Sequence, residues 1–466
     1  MKNESGRRLF SMGTFLLASL FLLTSCGSAP QSSSAMPEPQ SPAQEDPPDI
    51  SSSSSPQDNT LEITESNDFA DLNDFSVSGS IQGLQDDSSV DGYASQDGFY
   101  RVISRTDGSV NACYVDFKTQ QEIYLCGQPN CTHDSEACTA WFPFSNGLLR
   151  FVPVGDKVVV LHGGNPSYGD LLGDASVGYI DIMNPDGSQR STCFRFSKSS
   201  QISTMPRGGL ARDDENVYFV LTSYDPDVRT LCAVNSISGK VFALCELPEQ
   251  EEKIIGGADT ALVLSYSPNS YDTSIGIDAL TTNVIRLDPK TQEQSVLFTH
   301  PYSSRETCSG NDAVLFTADN HVQTYDLQTG ELKTDVQANL PPEFDAEGRI
   351  SDGIYGDKLL AHTYHNSDPS LPATLLYYAI NTSTGESTPL NYSYQRDNST
   401  LPCTIMAQTD TAFLCVTGTE ERIMDFIDEN GEKIKLGYYV NSYSFIDQTD
   451  FWSGNAAFTP VTDAKS

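Results

Sequence analysis

The sequence is poor in positive charge: 27 Lys and Arg stand against 63 Asp and Glu, a formal net charge of −36. Nucleic acid and anionic lipid heads are held by Lys and Arg, so this balance argues against both as partners of the folded part. Solubility outside the cell is the simplest use of the acidic excess. Helical patterning is also missing. No stretch combines an apolar repeat of helical period with capping residues, which sets aside helical bundles. The apolar run near the start is too short to remain as a membrane span. Catalytic signatures are lacking as well: there is no Gly-x-Ser-x-Gly elbow, phosphate-binding loop, His-Glu-x-x-His pair or Asp-box. His362 and His365 lie three apart on a strand-like run, so they face opposite sides and make no metal pair.

What is present begins with an export segment. Lys2, Arg7 and Arg8 precede the apolar core Phe15-Leu16-Leu17-Ala18-Ser19-Leu20-Phe21-Leu22-Leu23, the order of a signal peptide. The core ends at Leu23-Thr24-Ser25-Cys26, which resembles the lipobox of bacterial lipoproteins. That resemblance implies that residues 1–25 are removed and that Cys26 carries lipid, whose buried CH₂ groups anchor the chain to the outer face of the cell membrane. Residues 26–89 are rich in Ser, Pro and Gln, as in Ser51-Ser52-Ser53-Ser54-Ser55. Such a segment buries too little apolar surface to offset chain entropy, and is expected to be a disordered tether. About sixty flexible residues reach roughly 45 Å on average.

The rest, residues 90–461 with a tail at 462–466, repeats one grammar. Asp97, Asp156, Asp214, Asp259, Asp312, Asp357 and Asp410 each precede a short apolar run. Ala313-Val314-Leu315-Phe316 is the plainest. A second polar landmark closes the next run, at Asp116, Asp181, Asn235, Asp288, Asp326, Asn381 and Asp428. Turn residues follow, such as Thr329-Gly330-Glu331 and Thr384-Gly385-Glu386, where Gly supplies positive φ. The launching carboxylates recur about every 52 residues, the length of one four-stranded blade. The pattern predicts an all-β chain folded as a seven-bladed β-propeller. A sandwich of hairpins is the rival, but it has no need of seven equal units.

In a propeller the launch turns and glycine turns share one face, while mid-blade loops and blade-to-blade links share the other. The long, irregular connections (163–177, 224–230, 267–283, 365–373 and 126–141) all fall in the second set. Variable loops on a rigid scaffold are where binding usually resides. Trp141, Tyr168, Tyr224 and Tyr271 are the candidate ligand-face aromatics, and Trp452 is a further exposed or core indole. The leading reading is a non-catalytic binding or protein-interaction module for a glycan, peptide or protein. The alternatives are a glycan- or peptide-cleaving enzyme with carboxylates in the central funnel, and a structural subunit of an envelope complex.

One local constellation carries sharper chemistry. Cys126, Cys131, His133 and Cys138 fall within thirteen residues, a set able to enclose a tetrahedral Zn²⁺. No other cofactor is suggested. An exported chain also favours disulfides. Cys113 and Cys126 are symmetric about the turn at Thr119–Gln120, which would pair Cys131 with Cys138, and Cys403 and Cys415 are symmetric about Thr409. Metal, disulfides and reduced thiols all remain open at this stage. In each case the cluster is expected to staple the first two blades.

Leu125, Cys126, Pro129, Cys131, His133 and Cys138 fit a Leu-Cys-x-x-Pro-x-Cys-x-His…Cys pattern. In this the chain resembles uncharacterised β-propeller lipoproteins of Gram-positive gut bacteria, from residue 90 to the C-terminus. The resemblance implies a fold and a location, and no activity.

Overall fold

The computed structural model describes residues 66–84, 91–143, 149–169, 173–203, 208–247, 252–268, 276, 279–344, 350–366, 373–427 and 432–462. The expected signal peptide, Cys26, Tyr271 and the tail beyond Thr462 lie outside the described residues.

The chain is a seven-bladed β-propeller of four-stranded antiparallel blades. Blade 1 comprises Gly92–Ala94, Gly98–Ser104, Val110–Asp116 and Gln121–Tyr124. Blade 7 comprises Ile405–Gln408, Ala412–Ile427, Lys433–Asp447 and Thr459–Pro460. All seven launching carboxylates sit at the turn into the second strand of a blade. The runs behind them are apolar throughout because both faces of a blade are covered by its neighbours. Val158, Val159, Val160 and Leu161 are all fully buried. Seven apolar clusters, one per blade-to-blade interface, complete the ring. Phe99 and Val115 of blade 1 pack against Leu414, Val416 and Phe445 of blade 7, and the chain end adds a parallel bridge: Glu122 N–H donates to the Thr462 carbonyl at 2.9 Å and Thr462 N–H to the Gln120 carbonyl at 3.2 Å.

The second landmarks are side-chain caps for the turn into the outer strand. Asp326 Oδ1 accepts from the N–H groups of Gln328 and Thr329 at 2.8 and 2.9 Å, and Asn381 Oδ1 accepts from Ser383 and Thr384 at 2.9 Å each. Gly330 and Gly385 then take φ of 76° and 75°, which a Cβ would strain. Two landmarks need correction. In blade 2 the strand Tyr179–Met183 ends at Asn184, and Asp181 lies buried within it. In blade 7 the expected landmark Asp428 lies outside the described residues, and the run before it is the second strand of the blade, which continues past a bulge between Val416 and Gly418 to Ile427. The two strands of this hairpin, 16 and 15 residues long, are nearly three times the usual length of about 5–6.

The tether boundary also moves. Residues 66–84 belong to the propeller, although the sequence reading gave them to the tether. Ser66 bridges Phe194 of blade 2, Ala70 N–H donates to the Val241 carbonyl at 2.8 Å, and Phe75 is buried against Phe242 and Tyr218 of blade 3. The strand Gln82–Leu84 then pairs with Leu210–Arg212, the first strand of blade 3, on the edge that faces the central channel. Its other neighbour is blade 4: a Cβ at Gly83 would lie 2.5 Å from Gly256 Cα. Phe69, Phe75 and Ile81 are too widely spaced for any strand or helix period, which is why the segment looked like tether.

The connection at 224–230, expected as a loop, is tight: Tyr224 pairs with Asp227 across a two-residue turn.

Candidate metal centre and the face around it

The cysteine cluster sits on an excursion inside the outer strand of blade 1. Gln121–Tyr124 pairs with Val110–Asp116, the chain leaves, and it returns to the same edge as Trp141–Phe142. Ala112 pins both ends, its carbonyl accepting from Leu125 N–H at 3.0 Å and its N–H donating to the Ala140 carbonyl at 2.8 Å. Blade 2 holds the excursion from the other side, since Arg190 Nη1 donates to the carbonyls of Thr139 and Trp141 at 3.3 and 2.8 Å. Its guanidinium lies 4.2 Å over the Phe142 ring.

Within this frame one donor atom from each of Cys126, Cys131, His133 and Cys138 falls within 4.8 Å of every other. Zn–S bonds of about 2.3 Å and a Zn–N bond of about 2.0 Å require tetrahedral ligand separations of roughly 3.5–3.8 Å, so small side-chain rotations suffice. His133 Nδ1 already lies 3.2 Å from Cys138 Sγ. The loop bends to reach this point: Asn130 and His133 take φ of 57° and 53°, conformations that non-glycine residues seldom adopt. Buried Asn111 Nδ2 and Arg105 Nη1 donate to the His133 carbonyl at 2.8 and 3.1 Å, and the imidazole stacks on Tyr124 with centroids 4.2 Å apart. Burial pushes the Cys138 thiol up to about 12. Burial acts the same way on Cys126, but the Gln128 N–H, the Cys138 and Cys131 thiols and Thr139 outweigh it and hold that thiol below its usual value. Burial and then the Arg105 charge hold His133 below the ordinary imidazole range, which leaves it neutral and able to bind a cation.

All ten cysteines among the described residues are free thiols. The expected cross-strand pairs miss their register by two residues. Cys113 stands opposite Tyr124, not Cys126, and Cys415 stands opposite Ile405, not Cys403. Cys113, Cys403 and Cys415 are core residues instead. The aromatics are dispersed. Trp141 is half-buried at the returning strand, Trp452 packs edge-on against Phe413 and Phe451, and Tyr224 is exposed on blade 3. The side chain of Tyr168 lies outside the described residues. His362 is bound to Asp352 at 2.6 Å and does not meet His365.

Sequence reasoning missed a charged cluster at the seam of blades 7 and 1. Arg101, 3% exposed, reaches Asp91 Oδ2 at 3.3 Å and Glu122 Oε1 at 3.5 Å, and its guanidinium lies 4.5 Å over the Tyr443 ring. The Tyr443 hydroxyl donates to Asp91. A guanidinium inside the apolar run Phe99-Tyr100-Arg101-Val102-Ile103 was the available signal, because a buried Arg must be paired. The long blade 7 hairpin leans over this cluster: Asp425 N–H donates to Thr106 and the Tyr438 hydroxyl to Ser104, both at 2.8 Å. A second hairpin, Ser393–Arg396 with Ser399–Pro402, meets it from the other side, where Tyr439 donates to Asp397. Three cavities result, of about 550, 330 and 220 Å³. Glu122 and Tyr124 line both larger ones, and Cys126 and His133 line the 330 Å³ one.

No protein-family model matches the sequence, and no curated protein matches it. Among solved structures, it is similar to the β-propeller domain of the Trilobed protease from Pyrococcus furiosus, at 10% identity and a TM-score of 0.43, over 81% of this chain and 100% of that one. An uncharacterized protein from Listeria monocytogenes is similar at 11% identity and a TM-score of 0.41, over 76% of this chain and 97% of that one. A PL25 ulvan lyase, a polysaccharide lyase, is similar at 10% identity and a TM-score of 0.40, over 82% and 98%. The assignment of the fold stands on the sheet topology itself.

Proposed function

We propose that this chain is a non-catalytic binding module, held on the outer face of the cell membrane by lipid on Cys26, that takes its ligand on the face bearing the long connections. One observation carries the non-catalytic part. The channel edge of blade 3, where a central-funnel reaction would need open space, is covered by the chain's own strand Gln82–Leu84. The export and anchoring part is supported by Leu23-Thr24-Ser25-Cys26. The Cys126, Cys131, His133 and Cys138 set is read as a structural Zn²⁺ site, since four protein donors leave no open position for a reacting water. A disulfide between Cys131 and Cys138 would leave a thiol and an imidazole converging with no purpose.

The test is an array of glycans and peptides probed with the full chain, followed by mass analysis of every retained ligand. Retention with the ligand unchanged is the expected result; released fragments would overturn the non-catalytic reading. Fatty-acid labelling that is lost in Cys26→Ala checks the anchor, and equal label in both chains would refute it.

A further inference from the structure

We infer that the 550 Å³ cavity at the seam of blades 7 and 1 is the binding site and that its ligand is a neutral oligosaccharide. The inference rests on the binding-module reading above and gives it a place and a chemical class.

Arg101 is the first argument. Its side chain is almost wholly buried, it lines the cavity, and its Nε and Nη2 make no hydrogen bond, although Nη2 stands at ion-pair distance from Asp91. Buried guanidinium N–H groups left without acceptors are costly, and a small turn of the guanidinium toward the cavity would let a ligand oxygen supply the missing bonds. The charge pattern is the second. The cavity is lined by two guanidinium groups, Arg101 and Arg422, and by two carboxylates, Glu122 and Glu420, and Asp91 beside Arg101 adds a third, so the site has no excess positive charge. An anion entering there meets the carboxylates, and a cation meets the guanidinium groups. A hydroxyl satisfies both, because its oxygen accepts from Arg while its proton goes to Glu. Ligands that carry many hydroxyls and no charge are sugars.

Shape agrees with chemistry. The volume lies in the roughly 300–1,000 Å³ range of small-ligand sites. Tyr124 forms part of the wall, and its ring is fixed by stacking on His133 of the metal centre. A fixed aromatic ring offers an apolar surface to the C–H face of a pyranose. This gives the cysteine excursion a purpose beyond joining two blades: it holds one wall of the site.

The test uses isothermal titration calorimetry of the detergent-solubilised full chain. Maltotriose, cellotriose, xylotriose and N-acetylchitotriose are the neutral probes, with trigalacturonate and trilysine as charged controls. At least one neutral trisaccharide should bind. Ser442→Phe, which fills the cavity from the blade 7 strand, should weaken binding at least about tenfold. Glu420→Gln, exposed and nearly isosteric, should weaken it about fivefold and tests the site even if Ser442→Phe unfolds the seam. Tyr224→Ala on blade 3 should leave binding unchanged. Binding of a neutral sugar that neither seam variant alters overturns the site. Binding of trigalacturonate alone, lost in Ser442→Phe, overturns the neutrality of the ligand, and binding of trilysine alone overturns the sugar class; both leave the binding module standing. No binding by any probe overturns the ligand class, and a titrated sugar recovered in pieces overturns the non-catalytic reading instead.

Discussion

Blade 5 and the seam between blades 7 and 1 are made from the same four-stranded unit, yet they place their charges in opposite ways. In blade 5, Lys333 Nζ lies 2.5 Å from Asp312 and 3.0 Å from Asp326, and all three side chains reach solvent. Hydrogen bonds from Lys333, then from the Thr329 and Gln328 N–H groups, hold Asp326 down to about 2. These groups cap a turn and lie in water, so their pairing adds little. At the seam, Arg101 is held between Asp91, Glu122 and Tyr443 at the cavity wall, under a hairpin whose strands run 16 and 15 residues. Burying a pair of this kind gains little or no stability over an apolar core. The difference separates the part of the propeller that repeats for architecture from the part that departs from the repeat, which is where the proposed ligand site lies.

The sharpest way to break that contrast is to remove one cation from each region. Arg101→Ala leaves buried Glu122 and half-buried Asp91 without their counter-charge and should cost about 3–5 kcal/mol in chemical denaturation. Lys333→Ala should leave the midpoint within experimental scatter. Equal losses would show that the two regions do not differ.

A second pair of variants concerns the channel. At Gly83 a side chain would meet the backbone of Gly256, whereas nothing lies within 4 Å of a Cβ at Gly276. Gly83→Val should destabilise by about 1–3 kcal/mol through overpacking and expose the chain near residue 84 to protease. Gly276→Val should do neither. If Gly83→Val is silent, the strand does not occupy the channel edge and the argument against funnel chemistry falls.

The smallest effect is a difference in pH dependence. Burial lowers the pKa of His162 despite Asp181 beside it, whereas the hydrogen bond to Asp335 raises that of exposed His321 in blade 5. The unfolded chain protonates a histidine near about 6.5. For His162 the folded value lies below that, so its stabilisation is complete above the unfolded value and is lost as pH falls through the folded one. For His321 the sign reverses: its contribution is present below the unfolded value and disappears as pH rises through the folded one. Melting curves between pH 5 and 8 should therefore lose a rising slope in His162→Gln and a weaker falling slope in His321→Gln. The same slope change in both would contradict the assignment.

Most of the architecture was legible because its signals are local. An Asp before a short apolar run, then an Asp or Asn before a Gly turn, is enough to place seven blades, since each cap serves N–H groups two or three residues away. Cys126, Cys131, His133 and Cys138 were legible for the same reason. What could not be read depends on contacts distant in sequence. Phe75 and Ile81 look like isolated apolar residues in a polar tether until Phe242 and Ile254 are beside them. The symmetric cysteine pairings failed because each turn centres about one residue away from the assumed point: Asp116 pairs with Gln121 in blade 1, and Gln408 with Phe413 in blade 7, where a bulge follows Ile405. Arg101 meets Asn441 across 340 residues, so nothing near it announced a cavity.

The claim on which the specialised side of the molecule most depends is that the excursion from Leu125 to Ala140 closes on a metal ion. Native mass spectrometry of the full chain, followed by denaturation and thiol alkylation with and without reductant, tests it directly. The account predicts one zinc mass per chain, lost with chelator or mild acid, and alkylation of Cys126, Cys131 and Cys138 after denaturation without reductant. A chain free of metal in which the peptide spanning Cys131 and Cys138 is lighter by two hydrogens, or one free of metal with every thiol alkylated, would contradict it.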